Sequence, residues 1–179
     1  MKKYFAFILA ASLLLLSACT EGSVNPGGSV NQGGSANQGS SAKQDALIDY
    51  INNDMAEINE LEIEMLESYK SVIGDNYIDD ETTYTELNTV TLPLCRELNG
   101  KATDIQPDDR EIAEAHRLYR NYTAKMMNAF NTMLDALEKQ DRSIITQAND
   151  MIIEAEDLYA QYEQKILDLA EERNVTFGG

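Results

Sequence analysis

The chain has 179 residues, 43% of them hydrophobic, with no Trp and two Cys. Its 31 Asp and Glu outnumber 14 Lys and Arg, for a formal net charge of −17. That surplus excludes nucleic acid and anionic lipid as directly recognised partners, since both are bound through basic side chains.

At the N-terminus, Lys2 and Lys3 precede a nearly unbroken apolar run from Phe5 to Leu16. The run has the length of an export-signal core and falls short of the roughly 20 apolar residues that a transmembrane helix needs. Leu16-Ser17-Ala18-Cys19 comes next and resembles the lipobox of bacterial lipoproteins. The resemblance covers about the first 20 residues and implies that residues 1–18 are a signal peptide. It also implies a diacylglycerol thioether on Cys19, so that the chain is lipid-anchored to the extracytoplasmic face of the cell membrane. Thr20 is not Asp, so by analogy nothing marks the chain for inner-membrane retention in a two-membrane envelope.

From Gly22 to Gln44 the chain turns to Gly, Ser, Asn and Gln in an imperfect six-residue repeat (22–27, 28–33, 34–39). Such a segment buries too little apolar surface to offset its conformational entropy, so residues 19–43 are expected to be a disordered spacer. A Gly-rich tether of about 22 residues spans roughly 25 Å and holds the rest of the chain off the membrane.

Residues 44–179 are then one domain. The signal lysines are the only charges before residue 19, so the chain after cleavage carries about −19. That charge either attracts cations and basic partners or simply keeps an exposed domain soluble. With Cys19 lipidated, a disulfide framework is excluded, and Cys95 is either a buried core thiol or one that pairs between chains.

Hydrophobic periodicity predicts four helices. The first runs from Ser41, with capping-box spacing to Gln44, to Ile73, with the stripe Leu47, Ile51, Met55, Ile58, Leu61, Met65, Tyr69 and Val72. The second runs from Asp80 to Leu98, is expected to kink or break between Thr89 and Pro93, and stops at Asn99-Gly100. The third starts after Pro107, with Asp108 and Glu111 in capping-box spacing. Its stripe is Ile112, His116, Tyr119, Thr123, Met126, Phe130, Met133 and Leu137. The fourth comes after a turn at Gln140-Asp141, with the stripe Ile144, Ala148, Met151, Ala155, Leu158, Tyr162, Ile166 and Leu169. Its pattern fades at Asn174, and Phe177 is placed to fold back as a plug. Short links favour an all-α, up-down-up-down four-helix bundle. The alternative is a long hairpin of the third and fourth helices, with the first two packed loosely or used in dimerisation.

Chemistry-bearing motifs are few. His116 is the only histidine and lies on a core stripe, where it is a hydrogen-bonded core residue or a ligand facing a pocket. A di-iron bundle needs Glu-x-x-His pairs, and position 113 is Ala; zinc sites need more His or Cys ligands. No nucleophile elbow or phosphate loop is present, so no catalytic residue, metal site or cofactor is predicted. Two acidic clusters stand out: Glu57, Glu60, Glu64 and Glu67 on one helix flank, and Asp75, Asn76, Asp79, Asp80 and Glu81 in a link. They read as a solvated face and helix caps, or as weak divalent-cation binders. Tyr119, Tyr122, Tyr159 and Tyr162 form two pairs three residues apart, either core or the lining of a groove.

The leading expectation is a membrane-anchored, non-enzymatic module that binds another envelope protein or peptide. The alternatives are a small-ligand or divalent-cation binder with a pocket near His116, Tyr119 and Pro93, and a cell-wall-associated structural lipoprotein. Homodimerisation is left open.

Overall fold

The computed structural model describes residues 35–177; the signal segment, Cys19 and the spacer up to residue 34 lie outside the described residues. Every secondary-structure element among the described residues is helical, as expected for an all-α chain.

The first rod comprises α1 (Ser35–Asp49), a π-helical turn (Tyr50–Asp54) and α2 (Ala56–Lys70). It is already helical at Ser35, the first described residue, so Ser41, the predicted start, lies inside a helix and is not its cap. Tertiary contacts explain the extension. The Lys43 carbonyl accepts from Arg173 at 2.9 Å, and the Gln44 amide donates to the Asn174 carbonyl at 3.2 Å. Once a turn is pinned there, adding residues back toward Ser35 requires only helix propagation, which is far cheaper than nucleation.

The π turn changes which residues face inward. Tyr50 is buried where Ile51 was expected, and Ile51 is half-buried. Beyond it Met55, Ile58, Glu62, Met65, Tyr69 and Val72 are buried in steps of three and four, with Leu66 buried beside Met65. Glu62 therefore takes the inward position predicted for Leu61, which is half-buried.

After α2, a 3-10 turn (Gly74–Asn76) leads to the next rod. Gly74 has φ +62°, and nothing lies within 4 Å of a Cβ added there. A Gly74→Ala substitution therefore meets only backbone strain and is expected to cost about 1 kcal/mol in urea-unfolding stability.

The second rod comprises α3 (Asp80–Glu86), a π-helical turn (Leu87–Thr91) and α4 (Leu92–Asp104). Asp79 caps it, accepting from the Thr82 N–H at 2.7 Å. Pro93 sits in the first turn of α4. A wider turn just before it absorbs the clash a proline ring makes with the carbonyl four residues back. Helix α4 does not stop at Asn99-Gly100. Leu98 and Ala102 are fully buried on either side, and the Asn99 side-chain oxygen accepts from Thr123 at 3.1 Å. Those contacts outweigh the roughly 1 kcal/mol that a mid-helix Gly costs.

Helix α5 (Arg110–Lys139) is capped by Asp109, one residue later than predicted, which accepts from Glu111 N at 2.9 Å and Ile112 N at 3.1 Å. All eight residues of its predicted stripe are buried. Gln140, at φ 54°, turns the chain into α6 (Arg142–Glu172), capped by Asp141. Ala129, Ala136, Ala148 and Ala155 are buried and let α5 and α6 lie along each other as the largest interface in the fold. Helix α4 packs on both α5 and α2. In α6, Ile144, Met151 and Leu158 are only half-buried, and Ile152 faces inward. After α6, Asn174 adopts φ 53°, Val175 N–H bonds back to the Ala170 carbonyl at 2.8 Å, and Phe177 packs against the core as predicted.

Candidate functional site: a buried tyrosine cluster around Glu62 and His116

The four tyrosines singled out from the sequence come together between α2, α5 and α6. Tyr119 is at the centre, with ring centroids 5.0 Å from Tyr162, 5.6 Å from Tyr122 and 6.2 Å from Tyr159. Tyr122 and Tyr159 meet at 5.0 Å with an interplanar angle of 60°. Such tilted contacts suit the ring quadrupoles and add to the burial energy of the rings. The rings pack directly against one another, and Tyr119, Tyr122 and Tyr162 are buried while Tyr159 is half-buried.

His116 lies one turn before Tyr119 and is also buried. Its Nε2 is 2.7 Å from the Ala102 carbonyl, and its Nδ1 is 2.9 Å from the Tyr50 hydroxyl. A carbonyl only accepts, so Nε2 carries the proton and donates to it; in the neutral ring Nδ1 then accepts from Tyr50. Burial lowers the His116 pKa, which favours that neutral form. The Tyr50 and Tyr162 hydroxyls are hydrogen-bonded at 3.3 Å, joining His116 to the tyrosine cluster. Pro93 is exposed on the outer side of α4, away from this network.

The cluster also holds a group that the stripe reading passed over. Glu62 is 2% exposed, and its Oε2 accepts from the Tyr119 hydroxyl at 3.1 Å. The Tyr122 hydroxyl bonds it as well. Burial pushes its pKa up to about 7, against the lowering effect of those two hydroxyls. The charge that acts on it, Glu163, has the same sign. Cys95 is fully buried nearby, and desolvation raises its thiol pKa to about 12. Burial likewise holds the cluster phenols far above the ordinary tyrosine range. The arrangement can take up or release one proton near neutrality at Glu62, while its phenols and thiol stay protonated. Tyr50 and Glu62 were the residues missed. The 3-4 spacing from Met55 through Glu62 to Tyr69 would have found Glu62 had a carboxylate been allowed on an apolar stripe.

The acidic link was expected to cap a helix or bind cations weakly. Asp79 caps α3, and the Tyr77 hydroxyl donates to Asp80 at 2.8 Å. Together with Tyr84, Leu137 and Glu138 these residues line an open groove of about 610 Å³. Among the described residues, no group of three or more His, Cys, Asp or Glu is placed to hold a metal ion, and no helix is long and apolar enough to cross a membrane. No family model, curated protein or solved structure matches the chain.

Proposed function

We propose that the chain is a lipid-anchored, extracytoplasmic, non-enzymatic helical module that docks another envelope protein or peptide through the outward face of α6. The observation that carries this reading is on that face. Ile153 is 56% exposed and Leu167 is 49% exposed, with the exposed Ala160 midway between them. Two large apolar side chains exposed fourteen residues apart along one line of a long helix, with a small residue midway between them, offer a partner a seam.

The buried cluster supports a structural role for its own residues. Both nitrogens of His116 are bonded internally, and the neighbouring rings fill the space a ligand would need. For the architecture, we read the two π-interrupted rods with α5 and α6 as an up-down-up-down four-helix bundle, with the second rod bent at the π turn before Pro93. The neighbour relations among α2, α4, α5 and α6 favour this, and π turns and proline are recurrent causes of bends. The anchor rests on the lipobox resemblance at Cys19.

Photo-crosslinking in living cells tests the docking face. A crosslinking residue at Asp157 or Gln164 should yield a discrete protein adduct, whereas one at Thr89 or Asn121, on other faces, should not. Equal adducts from all four positions, or none from α6, would overturn the reading. Cys19→Ala should abolish labelling by radioactive palmitate.

A further inference from the structure

We infer that the partner seated on the α6 face is an amphipathic helix whose apolar seam is flanked by lysines or arginines. The inference rests on the docking reading above and names the chemistry of its partner.

Ile153, Ala160 and Leu167 lie at successive seven-residue intervals, so they advance by about 10.5 Å per step along the axis while staying within about 40° of one line. A second helix is the element whose own side-chain spacing matches that interval over the roughly 21 Å the seam spans. Ala160 at the centre leaves a shallow seat between two larger side chains. An extended strand, with its two-residue period, has no such match.

The charge around the seam selects the flanks. Helix α6 carries eight acidic residues and two basic ones. Asp150, Asp157, Asp168 and Glu171 fall on the same exposed face as the seam. Among the described residues no ion pair engages these four, while Lys165 reaches toward Glu114 at 4.0 Å and Glu154 is held by Lys125 at 2.6 Å. A second copy of the chain would bring the same carboxylates against themselves, and like charges across an interface cost several kcal/mol. Nucleic acid and anionic lipid are repelled by the same field.

The test uses the full chain purified from membranes in nonionic detergent, with two fluorescent 21-residue helical peptides. Both carry Leu along the seam; one has Lys on the flanks and the other Glu. Anisotropy should show saturable binding of the Lys-flanked peptide alone, weakened at least about tenfold between 50 and 500 mM salt. Ile153→Asp and Leu167→Asp should each weaken it by about tenfold or more, with thermal stability unchanged because both side chains are exposed. Equal binding of the two peptides, or binding indifferent to both substitutions, would overturn the proposal. So would a concentration-dependent dimer that the same substitutions dissolve, since the occupant would then be a second copy. If the peptides fail while the crosslinker at Asp157 still captures a protein, the partner chemistry is wrong and the docking face stands. If both fail, both readings fall.

Discussion

Replacing Glu62 by Gln is expected to remove a loss of stability that the parent protein suffers as pH rises through neutrality. Glu62 is buried among Tyr119, Tyr122, Tyr159, Tyr162 and Cys95, and Glu163 adds a like charge. Its pKa stands at about 7 in the fold, against an ordinary value of 4.5. A group whose folded pKa is raised stabilises the fold fully below its unfolded pKa, and that contribution is lost as pH climbs to the folded value. Between pH 4.5 and pH 8.5 the stability difference between Glu62→Gln and the parent should therefore shift by about 3 kcal/mol in favour of the variant. The amide keeps an oxygen to accept from Tyr119 and Tyr122, so the cluster geometry survives the exchange. His116 works in the opposite sense: its lowered pKa gives stability present above about 6.5 and lost as pH falls. That contribution is common to both proteins and cancels in the comparison. Urea unfolding at four pH values reads the effect, and parallel profiles for the two proteins would show that Glu62 is not desolvated as described.

Removing Arg173 should have the next largest effect. Its side chain is 2% exposed, and its guanidinium donates to the Lys43 carbonyl, to Asp109 at 3.0 Å and to Glu111 at 2.7 Å. One residue thereby ties α1 at Lys43 to the cap of α5 at the end of α6. Its Nε is buried without a partner, so the residue is held by its two terminal nitrogens. Arg173→Met keeps the packed stem and deletes the charge, leaving Asp109 to its capping bonds alone. Breaking a buried pair costs about 3–5 kcal/mol, but Asp109 and Glu111 are 13% and 41% exposed. Solvent screening brings the expected loss to about 2 kcal/mol. Backbone amides from Ser41 to Leu47 should exchange faster with solvent, because their helix loses its anchor to the rest of the fold. A loss below about 0.5 kcal/mol with unchanged exchange would mean that the Gln44 and Lys43 side-chain contacts suffice. Glu111→Gln, which touches only the half-exposed partner, should cost under about 1 kcal/mol.

Glu62 and Arg173 are marked faintly or not at all in the sequence. Arg173 comes after the last predicted helical stripe and carries no motif; its importance comes from carbonyls and carboxylates 62 to 130 residues away in the chain. Glu62 lies among carboxylates that read as a solvated flank. Glu57, Glu60, Glu64 and Glu67 are indeed exposed, and only the inward phase of the helix separates Glu62 from them.

Local physics is legible along the chain: helical structure, the inward stripe of α5, the turn at Gln140-Asp141, and Asp79 as a cap. Each comes from contacts within a turn or two of the chain, where side-chain spacing and hydrogen-bond reach leave few options. Only contacts between distant segments could decide the π turns, the continuation of α4 through Gly100, the helix already formed ahead of Ser41, and the meeting of Glu62 and Tyr50 with the tyrosines and His116. Those depend on free energies exchanged between segments distant in sequence. Burial of Ala102 outweighs a glycine, a distant arginine pins a helical turn at Lys43, and one extra residue in a turn rotates a whole rod about its axis.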